Sequence, residues 1–263
     1  MHQFSLTVLG TRGSVTVSGK EYERFGGMTS CYLVRAGEQI VFLDAGAGII
    51  QAPETEESEP VILISHLHLD HVVGLGMYPR LSKKGRCTRV YLPAKDDSAA
   101  LEKLDSLYAP PYWPCSLTDY SGTLDVHALN LPMKIGEVLI EGMEGNHPGG
   151  CVIMKLSYQG KSIVYATDYE YERTSFERLK AFAKDCDLLL YDAQYTEEEY
   201  ERKKGFGHST AEKGIELMNS CKAKRMLLVH HDPQSTDNEL ERRELILAVP
   251  NAHYAKEDEE ILL

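Results

Sequence analysis

The sequence predicts an α/β (α+β) sandwich of four layers, two β-sheets face to face with helices outside. Three observations lead there. Short apolar runs of strand length recur along the whole chain. Helical patterns are interspersed with them, so strand-rich and helix-bearing units occur in both halves. The 263 residues show no compositional break, sequence repeat or long low-complexity tract, so a single domain over residues 1–263 is expected. A chain of that size can bury a substantial core without staples.

The elements follow in order. Phe4 to Leu9 alternates before a glycine turn and reads as a strand. Cys31 to Arg35 and Gln39 to Leu43 flank Ala36-Gly37-Glu38, the pattern of a hairpin. Glu54 to Glu59 is an acidic stretch between apolar runs and reads as a solvated loop. Val61 to Ile64 is a short apolar run, as a buried strand requires, and it ends directly at Ser65-His66. Between Lys83 and Asp125 come a strand (Thr88 to Leu92), a helix (Ser98 to Leu107) and the rigid loop Pro110-Pro111-Tyr112-Trp113-Pro114. That loop could wall a base-stacking pocket or cover a partner's site in a dimer, but capping a core is its simpler use. Strands return at Val138 to Met143, Cys151 to Tyr158 and Ser162 to Ala166. Helices and strands then alternate: Ser175 to Ala183, Leu188 to Tyr191, Thr210 to Asn219 with Ser209 as cap, Met226 to Val229, and Asp237 to Ala248. Tyr195 to Lys204 reads as a charged helix with a solvated face.

Composition narrows the class of function. The formal net charge of −12 argues against a broad grip on long nucleic acid, which usually needs a basic face. A small anionic substrate stays open, because bound cations would supply local positive charge. Six scattered cysteines with no CxxC pair read as free thiols in a reducing compartment. The N-terminus lacks a basic stretch followed by a long apolar one, and no apolar run reaches membrane-spanning length. A cytoplasmic protein is expected.

The chemistry is concentrated in His66-Leu67-His68-Leu69-Asp70-His71. It sits where a buried strand stops, the usual place for a site in an α/β protein. His66 and His68 are two apart, so both can point one way while the backbone is extended. If the chain turns into a helix near Asp70, Asp70 and His71 can address a second point. One segment could then feed two metal centres. Imidazole and carboxylate suit zinc, manganese or iron. The alternative, a chance polar loop, would spend three of the ten histidines in six residues.

Six residues cannot complete two metal sites. Other strand ends offer partners: His147 in Gly145-Asn146-His147-Pro148-Gly149, Asp168 at the end of Val164-Tyr165-Ala166-Thr167-Asp168, and His230 or His231 after Leu227-Leu228-Val229. Taken alone, His147 could be a turn residue, Asp168 a helix cap and His230 a hydrogen-bonded core group. Their repeated position after an apolar strand favours ligation.

This ordering of HLHLDH, a lone His, a lone Asp and a late His resembles the metallo-β-lactamase superfamily over most of the chain, and that resemblance implies the αββα fold more strongly than composition does. It also implies that His66, His68 and His147 hold one metal, that Asp70, His71 and His230 hold a second, and that Asp168 bridges them. His230 is preferred to His231 because His230-His231-Asp232-Pro233 is similar to the strand-end His-x-x-Pro of the ribonuclease Z group. Asp44, in Phe42-Leu43-Asp44-Ala45-Gly46, matches the superfamily's early supporting aspartate. Gly207-His208-Ser209-Thr210-Ala211 resembles the His-Ser-Thr-Ala element of ribonuclease Z, which makes His208 the candidate acid at the leaving group. Leu9-Gly10-Thr11-Arg12-Gly13-Ser14 resembles that group's glycine turn. Arg12 could touch a phosphate but reads more simply as an exposed turn residue. The stretch from Asp192 to His208 looks like stand-alone members, some of which cleave cyclic nucleotides. No segment resembles the long arm with which ribonuclease Z grips transfer RNA.

The expected function is a metal-dependent hydrolase, a phosphodiesterase acting on a small anionic diester such as a cyclic nucleotide. Its cofactors would be two divalent metal ions, zinc first, with manganese or iron as alternatives. Two such ions lower the pKa of a shared water. The catalytic set is His208 as general acid, Asp192 orienting it, and Asp70, which also counts among the ligands. For His208 the plain alternative is a residue flanking a helix cap, and for Asp192 a strand-end turn. A glyoxalase II-like thioesterase and a non-catalytic metal-binding regulatory protein are the competing functions. No membrane and no long nucleic acid are expected as partners; a homodimer is open. His2, His127 and His253 have no motif around them.

Overall fold

The computed structural model describes residues 4–53 and 59–263. The acidic stretch from Glu54 therefore lies largely outside the described residues, as does His2. The first sheet begins with β1 (Phe4–Gly10), β2 (Cys31–Ala36), β3 (Gln39–Leu43), β4 (Val61–Leu63), β5 (Cys87–Leu92) and β6 (Thr123–Ala128). The second is built from β7 (Met133–Ile135), β8 (Val138–Gly145), β9 (Cys151–Tyr158), β10 (Lys161–Ala166), β11 (Leu188–Asp192), β12 (Met226–Val229) and β13 (Ala252–Tyr254). A last strand, β14 (Glu260–Leu262), returns to the edge of the first sheet and pairs antiparallel with β1.

The sheets have matching logic. In the first, β14, β1, β2 and β3 are antiparallel and β3 to β6 are parallel. In the second, β7 to β10 are antiparallel and β10 to β13 are parallel. The hairpin between β2 and β3 forms as expected, closing on the pair Ala36–Gln39 with Gly37 at φ 60°.

Side-chain alternation divides the interior into three apolar layers. In β11, Leu188 and Leu190 face the first sheet, while Leu189 and Tyr191 face the helices. In β4, Val61 and Leu63 point between the sheets, and Ile62 points to the opposite face. A central layer between the sheets and one layer on each outer face are what a four-layer sandwich requires. The outer helices are α1 (Leu69–Val72) and α2 (Asp97–Leu107) on the first sheet, then α3 (Arg173–Phe182), α4 (Glu197–Arg202), α5 (Ala211–Cys221) and α6 (Asp237–Leu247). Leu104 of α2 packs on the first sheet, and Phe176, Leu179, Leu217 and Leu240 pack on the second.

Several local expectations are corrected. The cap of α5 is Thr210, whose side chain accepts from Lys213 N–H; Ser209 instead bonds the Tyr191 hydroxyl. Arg12 is not an exposed turn residue. It is fully buried, donating to the carbonyls of Gly26, Asp232 and Ser235 and so tying the first turn to the last. In the proline loop, Trp113 packs on Tyr108 and donates to the Tyr120 hydroxyl, capping the core as its plainer reading had it, while Tyr112 stays exposed. The six cysteines form no disulfide. No helix among the described residues is long and apolar enough to cross a membrane.

Candidate metal centre

Strand ends on one rim of the sandwich converge. His66 follows β4, and α1 starts immediately after His68. The extended-to-helical switch lets His66 and His68 face one point and Asp70 and His71 another. His147 comes from the β8–β9 turn, Asp168 from the end of β10, Asp192 from the end of β11 and His230 from the end of β12. Among the described residues two candidate cation sets use separate ligands, His66, His68, His147 and Asp168, and Asp70, His71 and His230; a third, Asp168, His208 and His230, overlaps both. Asp168 adjoins both, with Oδ2 at 3.5 Å from His66 Nε2 and 3.6 Å from His147 Nε2, and Oδ1 at 3.1 Å from His71 Nε2 and 3.3 Å from His230 Nε2.

These spacings have a physical meaning. With bonds of about 2.0–2.1 Å, ligand atoms of a tetrahedral zinc site stand about 3.3–3.4 Å apart. His230 Nε2 lies 3.1 Å from Asp70 Oδ2, and His71 Nε2 lies 3.3 Å from that same oxygen and 3.4 Å from His230 Nε2. His68 turns its Nδ1 toward His147 Nε2 at 3.0 Å.

Hydrogen bonds on the far side of each ring fix which nitrogen carries the proton. His71 Nδ1–H donates to Asp44 at 2.7 Å, His147 Nδ1–H to the Gly207 carbonyl at 2.9 Å, and His230 Nδ1–H to Gln194 Oε1 at 2.9 Å. Ser65 commits its hydroxyl to Asp44, so His66 Nδ1–H donates to the Ser65 oxygen at 3.1 Å. Each Nε2 is therefore a lone pair turned inward, toward carboxylate oxygens that are also acceptors. Among the described residues the buried His66 Nε2 has no hydrogen-bond partner. Lone pairs converging on lone pairs in a buried site demand positive charge, either a proton on His71 or His230 or a bound cation, and neutral imidazole with carboxylate is the donor set of a divalent metal. The residues fit metal ions.

Electrostatics agree. Burial, followed by the charge of His71, holds His66 down to about 2, and burial also lowers His147, so both stay neutral. Burial works against charge on His230 as well, but Asp168 and then Asp70 outweigh it and lift His230 to about 9. Burial would raise Asp70 and Asp168, yet the surrounding histidines hold both well below the usual carboxylate range. The carboxylates draw positive charge onto this cluster.

His208 stacks on His230 with ring centroids 4.7 Å apart, and its Nδ1–H donates to Asp192 Oδ2 at 2.8 Å. Nδ1 is 4.0 Å from Asp168 but committed to Asp192, which leaves Nε2 as the free nitrogen. Asp192 is fully buried and also accepts from the Tyr169, Gln194 and Ser209 N–H groups. His231 points away, its Nε2 on the Ala255 carbonyl, whereas His230 faces the cluster. His127 and His253 pair with carboxylates elsewhere.

Sequence reasoning named the supports Asp44 and Asp192 and missed the others. Gln194 is two residues beyond Asp192 and so shares its side of the extended chain, a signal that was available. Ser14 N–H holds Asp70 Oδ2 at 2.7 Å, and the Tyr165 hydroxyl holds Asp44 at 2.7 Å. The Gly207 carbonyl carries no side-chain signal. Ser14, Asp44, Asp168 and His230 all have positive φ (64°, 61°, 52° and 63°), a backbone state that non-glycine residues rarely adopt and that tends to gather at functional sites.

The family model for the beta-lactamase superfamily domain matches residues 40–231. The chain belongs to the beta-lactamase superfamily. Among curated superfamily proteins it is similar to the ribonuclease Z of Pyrococcus furiosus, 24% identical over 250 residues that cover 76% of this chain and 80% of that one. The structure is similar to the metallo-beta-lactamase fold protein YhfI of Bacillus subtilis, with a TM-score of 0.76, 18% identity and full coverage of both chains. It is also similar to a diphosphatase of the PhnP family, with a TM-score of 0.73 and 17% identity over 99% of this chain and 97% of that one. The superfamily resemblance and the sandwich expected from the sequence are thereby borne out.

Proposed function

We propose that this beta-lactamase superfamily protein is a metal-dependent phosphodiesterase with two divalent cations, zinc first. His66, His68 and His147 would hold one ion, Asp70, His71 and His230 the other, and Asp168 both. The observation that carries the reading is the pairing of this inward-facing donor set with His208, whose ring stacks on His230 and whose Nδ1–H is fixed by Asp192. Divalent cations bound there supply a water nucleophile active at neutral pH and positive charge to offset the phosphoryl oxygens.

The chain's own residues do the rest. Asp168 and Asp70 would help hold the ions, as the carboxylates nearest the ligating imidazole nitrogens. Asp44, Gln194, Ser65 and the Gly207 carbonyl hold four imidazoles in the ligating tautomer. A leaving alkoxide is a strong base, and a proton delivered from His208 Nε2 stabilises it as it departs. Asp192 keeps that proton on Nε2 when the ring is charged, because its carboxylate anchors the opposite N–H. Thioester cleavage has less use for such an acid, since a thiolate is a weak base and leaves without a proton.

A small diester such as a cyclic nucleotide fits the charge of −12 better than a long RNA does. The ribonuclease Z relatives favour RNA ends as a second reading. The test is a panel assayed with zinc or manganese: bis-p-nitrophenyl phosphate, cyclic nucleotides, short RNAs and S-lactoylglutathione. Diester hydrolysis without thioester hydrolysis is expected. The reverse result would reassign the site to a thioesterase, and cleavage of RNA alone would overturn the small-substrate choice.

A further inference from the structure

Glu170 lies two residues after Asp168, half-buried, in the turn that follows β10. One carboxylate oxygen accepts from Gly205 N–H at 2.7 Å and the other from Gly207 N–H at 2.8 Å. The stretch it grips, Gly205-Phe206-Gly207-His208, carries two parts of the site: the carbonyl that orients His147 and the side chain of His208. The residue is itself anchored beside the first candidate set. Its N–H donates to the Asn146 carbonyl at 2.9 Å, and Asn146 Nδ2 donates back to its carbonyl at 3.0 Å, which joins the residue before His147 to the turn after Asp168.

The fit of the gripped loop is tight. Gly205 and Gly207 have φ of 91° and 92°, a state open to glycine. A Cβ on Gly207 would stand 2.2 Å from His147 Nδ1 and 2.4 Å from Pro148. The loop thus has little freedom in how it meets the His147 ring. Both carboxylate oxygens are used on backbone amides, and Glu170 belongs to none of the candidate cation sets among the described residues.

We infer that Glu170 is a positioning residue that couples the metal site to the acid: by clamping the Gly205 and Gly207 amides it fixes His147 through the Gly207 carbonyl and His208 through the chain. The inference rests on the proposed phosphodiesterase reading for its His208 half and only on metal binding for its His147 half. Glu170→Gln keeps size and one acceptor but sets an NH2 group against the second amide, which leaves that N–H unpaired.

Three readouts on the full chain test it. In hydrogen exchange, the Gly205 and Gly207 amides should lose protection in Glu170→Gln while β10 and β11 keep theirs. Zinc affinity, measured by competition with a chelator, should fall about tenfold, as for other partners of metal-bound histidines. Across aryl phosphodiesters from nitrophenyl to phenyl, kcat should depend more steeply on the leaving group, toward the slope of His208→Ala, with KM little changed. Gly207→Ala, which displaces the loop while leaving Glu170 intact, should give the same shifts and serves if Glu170→Gln folds poorly. Unchanged amide protection, or lost protection with wild-type zinc affinity and slope, would overturn the inference. If His208→Ala itself leaves the slope unchanged, the acid assignment fails instead, and exchange and zinc affinity still decide the role of Glu170.

Discussion

His208 concentrates the functional claim in one side chain. Its Nδ1–H is held by a buried carboxylate, its ring stacks on His230, and its other nitrogen is free. Replacing it with alanine should leave metal content unchanged, because none of the seven residues proposed as ligands is touched; metal loss would instead place His208, a member of the overlapping third set, among the ligands. Turnover of an unactivated diester should fall about 10²-fold or more, the usual range for a general acid. Metal analysis and steady-state kinetics on the same sample check both halves. His68→Ala should behave differently, removing metal and activity together, since His68 closes the first set. Full activity in a metal-free His68→Ala protein would contradict the whole site.

Elements place these residues, and caps fix where elements start. Thr210 caps α5 through the Lys213 N–H and also contacts Glu197 at the start of α4, so one hydroxyl links two helices below His208. Thr210→Ala should cost about 1 kcal/mol, a Tm decrease of about 2–4 °C for a chain of this size, readable by thermal denaturation. The sequence placed that cap at Ser209, because Ser is the preferred cap of the two and only the tertiary bond from Ser209 to Tyr191 shows it to be otherwise engaged. Strands with continuous apolar runs, such as β4, β11 and β12, were legible because both of their faces are buried. β7, β13 and β14 were not: each has three residues, too few for a period, and pairing alone makes them strands. β6, with its charged and partly exposed side chains, was missed for a similar reason. The residues of the two cation sets were legible because imidazole and carboxylate at strand ends leave a chemical signature. Of their supports only Asp44 and Asp192 were, because a backbone carbonyl, a positive φ at Asp168 or the burial of Arg12 arises only when distant segments meet.

At the scale of the whole molecule, buried groups outside the proposed ligand set also contribute to stability. Glu257 sits beside Arg12 and accepts from Met28 N–H. Burial raises its carboxyl to about 7 in spite of that bond. An acid whose folded pKa lies above its unfolded value adds stability below the unfolded pKa, near 4.5, and loses it as pH rises through about 7. Glu257→Gln, which mimics the protonated form, should match the native protein near pH 4 and exceed it at pH 8 by a few degrees in Tm. A constant offset at both pH values would show that the carboxyl does not titrate in this range. The rim makes the larger claim, that strand ends from both sheets build one dinuclear hydrolytic centre. The most direct measurement is the rate of bis-p-nitrophenyl phosphate hydrolysis as zinc is added stepwise to metal-stripped protein. The expected result is no activity without metal and a rise that saturates at two equivalents per chain. Saturation at one equivalent, or two bound ions with no diester cleavage, would contradict it.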